Sequence, residues 1–403
     1  MSKASDARPE FPVNDRNLTL QRPHRGGRGL RAWDAADEQL VAEARRQLRP
    51  GQRVAVVDDS FGALALGLAD FELTVIADSA VLGDALALNA HANKLTAPGV
   101  DSWRDELGPV SAGESPELAE DRFDAVVLKV PRQLDYLEFL LRWVNQVLRP
   151  DGWLLTGGMI KHLPDQAARV YQRLVMTDAV LPARKKARLV LCRAGTETLA
   201  DWQGLWKGYP EPAAGTSLQA LPAVFARERL DIGTRELLPF IPDSVATVTE
   251  GAGVLDLGCG NGILGLSALA ARPDLAVTWA DISSQAVLSA RANVKASGLD
   301  DSACHFVHTD GVPVGTGPFR IILLNPPFHE GGVVGDHIAL RLFAEAAEAL
   351  APDGELLMVG NRHLGYHRSL HSVFADVQQL HATPKFVVFR ASCPQAVQPR
   401  GRS

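Results

Sequence analysis

An apolar run, Ile321 to Leu324, ends in Asn325-Pro326-Pro327-Phe328. At the end of a strand, the Asn325 side-chain carbonyl and the Pro326 backbone carbonyl can together accept both hydrogens of one amino group. An exocyclic amine conjugated to a ring is a poor nucleophile because its lone pair is delocalised. Accepting its two hydrogens turns the lone pair out of plane and raises its reactivity by orientation and local electrostatics, without a strong base. The proline after Asn325 keeps that residue extended, and Phe328 offers a flat face for stacking on a base. His329 and Glu330 follow as polar loop residues that could assist proton removal. Alone, Asn-Pro-Pro is a common turn. After an apolar strand it suits methyl transfer to a planar exocyclic nitrogen on a nucleic-acid base or an amide.

The methyl donor has a place upstream, at Asp256-Leu257-Gly258-Cys259-Gly260-Asn261-Gly262. A strand entering a glycine turn and then a helix is where backbone approaches a ligand closely. The glycine spacing would also fit a dinucleotide. S-adenosyl-L-methionine is favoured because Asp256 can anchor its amino-acid portion and Asp281, followed by Ile282, can take the ribose hydroxyls. The Asn325 clamp also leaves no hydride chemistry to explain.

These residues need a sheet to hold them. Apolar runs at 54–57, 73–76 and 125–128 read as strands between helical stretches at 35–48, 61–69, 81–89 and 137–148. The same alternation returns with strands at 254–257, 276–280 and 321–324 and helices at 264–271, 285–296 and 338–350. Strands alternating with helices predict parallel α/β sheets covered on both faces. Landmarks recur at a near-constant offset: Asp58 with Asp256, Asp78 with Asp281, Leu128 with Leu324, Asp151 with Asp353. Self-similarity over a whole domain implies duplication. The first copy is worn, carrying Lys129-Val130-Pro131-Arg132 where the second carries the clamp. The predicted organisation is a flexible basic arm over 1–31, a degenerate domain over 32–194, a linker over 195–222, a catalytic domain over 223–395 and a tail over 396–403.

With 403 residues, 46% of them hydrophobic, both halves can bury a core. Met1 to Leu20 is polar and no apolar run reaches the ~20 residues of a membrane span, so a cytoplasmic protein without membrane contact is expected. Four scattered cysteines form no CxxC pair, and no metal is expected. A formal net charge of −6 excludes a histone-like binder, yet local clusters can still hold RNA phosphates. Arg184, Lys185, Lys186 and Arg188 form the strongest cluster, with Arg362 and His363 a second. An exocyclic base amine is hidden in a duplex, so a nucleic-acid target would have to lie in a loop or be flipped out.

Over nearly its whole length the chain resembles the two-domain guanine-N2 methyltransferases of bacterial ribosomal RNA, and within them the large-subunit branch. The likeness rests on Leu18-Thr19-Leu20-Gln21-Arg22, Ala32 to Glu38, Phe61-Gly62-Ala63-Leu64, Leu128-Lys129-Val130-Pro131, Lys185 to Leu189 and Asn361-Arg362-His363-Leu364. It implies tandem Rossmann-like class I methyltransferase domains, the first degenerate and concerned with RNA recognition, the second catalytic. It also implies S-adenosyl-L-methionine as donor and a single guanine of 23S rRNA as acceptor. Phe225, Asp231 and Gly233 match the family's cofactor-flanking segment, and Asp310-Gly311 falls where a small polar pair near the adenine is expected. The arm departs from the family by its extra arginines, Arg22, Arg25, Arg28 and Arg31. The clamp residues alone leave open a small-subunit target, adenine N6 or a protein glutamine, and a non-catalytic assembly factor is the remaining alternative. One active site per duplicated chain is compatible with a monomer.

Overall fold

The computed structural model describes residues 10–14, 16–24, 30–163, 166–200, 202–212, 216–327 and 337–395. It divides into two compact units, Met1–Val110 with Ser115–Leu205, and Ser111–Glu114 with Trp206–Ser403.

In the first unit, strands β1 (Glu10–Val13) and β2 (Arg16–Thr19) form a hairpin before helix α1 (Ala35–Gln47). There follow β3 (Arg53–Val57), α2 (Ala63–Gly67), β4 (Glu72–Ala77), α3 (Val81–Asn93), β5 (Val100–Ser102) and α4 (Trp103–Leu107). The unit closes with β6 (Phe123–Lys129), α5 (Leu134–Val147), β7 (Leu148–Met159), α6 (Ala167–Leu174), β8 (Val175–Val180) and β9 (Ala187–Ala194). Helix α1 starts at a capping box in which Asp34 accepts from the start of the helix and Asp37 reaches back to the Asp34 amide. Arg45 and Arg46 at its far end suit the helix dipole.

The second unit repeats this order. Hairpin β10 (Lys207–Glu211) and β11 (Thr216–Ala220) leads to α7 (Ile232–Leu237), α8 (Ile241–Ala246), β12 (Gly253–Leu257), α9 (Ile263–Ala271), β13 (Ala276–Asp281), α10 (Ser284–Ser297) and β14 (His305–His308). Then come β15 (Phe319–Leu324), α11 (His337–Ala349), β16 (Leu350–Asn361), α12 (Tyr366–Leu370), β17 (Phe374–Ala382) and β18 (Phe386–Pro394).

The two seven-stranded sheets have one topology, β5-β4-β3-β6-β7-β9-β8 and β14-β13-β12-β15-β16-β18-β17. In the second, Ile321 and Leu323 enter one core with residues of α7 to α10, while Ile322 and Leu324 enter another with residues of α11 and α12. That alternation explains the uninterrupted apolar run, since a strand covered on both faces has no polar side.

Three expectations need correction. The sheets are mixed: β9 and β18 run antiparallel to β7 and β16, and β8 and β17 are antiparallel to β9 and β18. Strand β17 alternates buried or half-buried with exposed polar residues, so it lacks the apolar run that marks an inner strand. Residues 10–24 are not a flexible arm. A hairpin is marginal alone, but Phe11, Val13, Leu18 and Leu20 are buried, each contributing about 1.5–3 kcal/mol, and Phe11 meets Trp33 edge-on at 5.7 Å. Arg22 lies over the Phe61 ring at 4.6 Å, while Arg25, Arg28 and the tail 396–403 lie outside the described residues. The span 195–222 is likewise no plain linker, because it contains β10 and β11 with Tyr209 and Leu218 in the second core.

Sheet register also shifts two of the matched landmarks. Val57 pairs with Leu128 and Ile76, as Leu257 pairs with Leu324 and Ala280. The equivalents of Asp256 and Asp281 are therefore Val56 and Ala77, not Asp58 and Asp78; Leu128 with Leu324 stands. One asparagine performs the same task in both units. Asn89 accepts from the Gln21 amide and donates to the carbonyls of Gln21 and Phe61. Asn293 does so with Gln219 and Asn261, tying the hairpin to the turn before α9.

Candidate active site

The chain runs from β12 outward to β13 and β14, then returns to place β15 on the other side of β12. The carboxyl ends of β12 and β15 thus flank the switch point of the sheet, where open α/β folds bind ligands. The glycine turn follows β12, and Asn325 follows β15.

The turn's glycines divide the work. Gly258 and Gly260 have φ of +71° and +54°. A Cβ on Gly258 would meet nothing within 4 Å, and one on Gly260 only the Phe225 carbonyl at 4.0 Å, so open space lies over both. Gly262 and Gly265 serve packing instead: a Cβ there would stand 2.8 Å from Ala290 and 2.5 Å from the Trp279 Nε1.

Carboxylates and an amide brace the turn. Asp281 accepts from the amides of Gly260 and Ser283, each at 2.9 Å. Asn261 is buried, its Nδ2 donating to the Tyr209 hydroxyl at 3.0 Å. Asp256 is fully buried, with Oδ2 accepting from the Gly265 amide at 2.8 Å and Oδ1 unpartnered among the described residues. Burial, with Asp281 adding repulsion, pushes its carboxyl up to about 8. Asp256 and Asn261 therefore shape the turn from beneath, a different placement from the direct contacts expected from sequence. Ile282 and Phe225 are exposed, at 41% and 59%. Asp310 accepts from Arg341 at 2.5 Å, Arg341 also donates to Glu345, and Glu345 accepts from the Val312 amide. A Cβ on Gly311 would fall 2.1 Å from Glu345, so only glycine fits there.

At the clamp, Asn325 Nδ2 donates to Thr234 Oγ1 at 2.9 Å and Asp231 Oδ2 at 3.2 Å. Asp231 is the N-cap of α7, its carboxylate accepting from the Thr234 amide. Gly233 lies between them, a Cβ there being 3.0 Å from Asp231 Oδ2 and 3.1 Å from the Phe386 ring. Asn325 Oδ1 is buried and has no hydrogen-bond partner among the described residues. Leaving such an acceptor unmade is costly, so this oxygen calls for a donor. Pro326 is buried beside it; Phe328, His329 and Glu330 lie outside the described residues. Thr234 was missed from sequence, its only signal being its place three residues after an N-cap aspartate.

The worn copy has the same scaffold with other chemistry. Lys129 stands where Asn325 does, its Nζ 2.7 Å from Asp37 Oδ2 and 3.4 Å from Asp34 Oδ2. Burial would lower the pKa of this ammonium, but Asp37 and Asp34 overcome that and hold it above its ordinary value. The turn carboxylate has moved: Asp59 accepts from the amides of Gly62, Leu64 and Ala65, the last being the counterpart of Gly265.

Of the candidate RNA contacts, Arg184, Lys185 and Lys186 are exposed between β8 and β9 and Arg188 is exposed at the start of β9, with Lys185 Nζ 2.7 Å from Glu38. The Lys186 carbonyl accepts from the Ile160 amide, which brings Lys161 and His162 to the same sheet edge, and His162 lies 3.3 Å from Arg132. Burial, then Arg132 and Lys161, pushes the His162 pKa down. Sequence reasoning did not bring Arg132, Lys161 and His162 to this edge because they are scattered along the chain. Arg362 and His363 are exposed at the end of β16. Among the described residues no helix is long and apolar enough to cross a membrane, and no group of three or more metal-ligating side chains occurs.

A switch-point glycine turn and an amide oxygen without a partner among the described residues fit an S-adenosylmethionine-dependent methyltransferase, the class that the following similarities show. Residues 215–390 match the methyltransferase small domain, and residues 8–196 the RLMG N-terminal domain. The ribosomal RNA large subunit methyltransferase G of Pseudomonas putida is 38% identical over 92% of this chain and 96% of its own length. That of Alcanivorax borkumensis is 39% identical over 94% and 95%. The chain belongs to the ribosomal RNA large subunit methyltransferase G family. The fold matches the solved T. thermophilus 16S rRNA N2 G1207 methyltransferase with a TM-score of 0.73, at 23% identity over 95% of this chain and 97% of that one.

Proposed function

We propose that this protein methylates the exocyclic N2 amine of one guanine in the 23S rRNA of the large ribosomal subunit, acting as a cytoplasmic monomer. The reading is carried by the buried, unpartnered Asn325 Oδ1 at the sheet's switch point, and is supported by the large-subunit name its relatives bear. When bound, S-adenosylmethionine supplies an electrophilic methyl on a sulfonium. The open space over Gly258 and Gly260 fits such a ligand, and Phe225, Asp231, Gly233, Asp281, Ile282, Asp310 and Gly311 are the further residues assigned to hold it. Asn325 Oδ1 and the Pro326 carbonyl accept the two amine hydrogens, and Phe328 stacks on the base. The N2 lone pair is thereby turned out of the ring plane toward the donor's side of the site; transfer of the methyl would break its bond to sulfur, leave a neutral thioether and release one N2 proton to solvent. Asp256 and Asn261 preserve the turn, and the first unit supplies RNA phosphate contacts through Arg184 to Arg188, joined by Arg362 and His363 in the second.

The test is methyl transfer from labelled S-adenosylmethionine to purified large- and small-subunit rRNA in parallel, followed by nucleoside analysis. Label in N2-methylguanine from large-subunit RNA alone is expected. Label in small-subunit RNA, in N6-methyladenine or in protein overturns the assignment.

A further inference from the structure

We propose that Thr234 is a positioning residue for methyl transfer, which with Asp231 forces the Asn325 amide to present its oxygen, and not its nitrogen, to the acceptor amine. The inference rests on the reading of Asn325 as an amine clamp and adds what makes that clamp work. The two ends of an asparagine amide are nearly the same size, so a half-turn about the terminal torsion exchanges an acceptor for a pair of donors. In the wrong orientation Asn325 would aim N–H groups at the N–H groups of its substrate.

Asp231 Oδ2 settles which end faces inward, because a carboxylate only accepts. At 3.2 Å it is the longer of the two contacts, and the same oxygen already accepts from the Thr234 amide at 2.9 Å. Thr234 Oγ1 takes the amide at 2.9 Å. Both amide hydrogens then have acceptors at the start of α7, while Oδ1 is left buried without a partner among the described residues. Thr234 is 5% exposed, so water does not readily replace its hydroxyl.

The worn copy is an internal control. Asp34 and Asp37 occupy the N-cap and third-residue positions of α1, as Asp231 and Thr234 do in α7, and they grip Lys129 at the strand end. The grip between the first helix and this strand end belongs to the fold. What differs is that Lys129 has only donors, so the grip in that unit presents no acceptor to a ligand. An acceptor arises in the second unit because a neutral threonine at 234 pairs with an asparagine at 325.

The experiment compares full-length wild type, Thr234→Val and Thr234→Ser in labelled-methyl transfer to rRNA, with S-adenosylmethionine binding measured by calorimetry. Thr234→Val should lower kcat by about 10- to 100-fold, with cofactor Kd and RNA KM within about twofold, and Thr234→Ser should recover most of the loss. A Thr234→Val enzyme of wild-type kcat, or one whose defect lies in cofactor binding alone, overturns the role. If Thr234→Val does not fold, Asp231→Asn keeps an N-cap while allowing the flipped amide, and must show the same kcat loss. A wild type that methylates neither RNA overturns the amine-clamp reading itself, an outcome distinct from an active wild type matched by its Thr234→Val variant.

Discussion

Lys129 and Asn325 occupy one place in two copies of a fold, each at the end of the strand beside the sheet's switch point and each held by the first helix of its unit. The lysine is satisfied by two carboxylates, whereas the asparagine keeps an oxygen in reserve. Together with Val56 for Asp256 and Ala77 for Asp281, this leaves the first unit without the side chains that the proposed cofactor site uses in the second. Calorimetric titration with S-adenosylmethionine should give one site per chain, unchanged by Lys129→Met and lost in Gly258→Arg; two sites would contradict the assignment.

Removing the reserved oxygen should stop turnover without emptying the pocket. Asn325→Ala is expected to lower kcat by about 10²–10³-fold, the scale for a single electrostatic contact in a preorganised site. The Kd for S-adenosylmethionine should move by less than about threefold. A loss of cofactor binding equal to the loss of rate would show that Asn325 serves the donor.

The glycines of the turn should separate fold from ligand. Gly265→Ala puts a methyl 2.5 Å from Trp279 Nε1, and overpacking of that kind costs about 1–3 kcal/mol, to be read as a lowered melting temperature. Gly258→Ala meets no neighbour and pays only the left-handed backbone cost of about 1–2 kcal/mol, but its methyl enters the ligand's space. It should stay folded and bind S-adenosylmethionine at least tenfold more weakly.

Asp256 gives the fold a pH dependence. Its carboxyl is raised from 3.8 to about 8 by burial and by Asp281, so between those values the folded chain holds a proton that the unfolded chain has lost. Stability from this group is full below about pH 4 and declines as pH rises through 8. Asp256→Asn has nothing to ionise, and its melting temperature should fall less than the wild type's between pH 6 and pH 9. Parallel melting curves for the two proteins would place the pH response elsewhere.

Charge reversal at the β8–β9 turn should weaken RNA binding alone. Lys185 already faces Glu38, so the informative pair is Lys186→Glu with Arg188→Glu. RNA affinity should fall and its salt dependence flatten, because fewer counterions are released, while cofactor Kd holds. Unaltered affinity at low salt would remove this surface from the RNA interface.

The inner strands and the place of Asn325 at the end of one were legible in the sequence because a strand buried on both faces must be an apolar run, and Asn-Pro-Pro ends it. Register was not. Matching like residues joined Asp58 to Asp256, whereas the ladders join Val56 to it, because the carboxylate that anchors the following helix comes from a strand in one unit and from a turn in the other. The hairpin over 10–19 escaped notice because its apolar residues are spaced among Asn, Asp and Arg, and its stability comes from distant partners such as Trp33 and Asn93. Asn89 and Asn293 carried a faint signal, a polar residue on the buried face of a helix.

The relocated carboxylate makes the loss in the first unit hard to undo. Asp59 already satisfies the Ala65 amide that an aspartate at 56 would seek. Val56→Asp alone would bury a second carboxyl at a helix end whose amide is already taken, and losing Asp59 alone would leave three amides without their acceptor. Either single step descends in stability before anything is regained. The duplicated half is thus held in its present role by a ratchet, free to diversify as a scaffold while the road back to catalysis stays closed to one-residue moves.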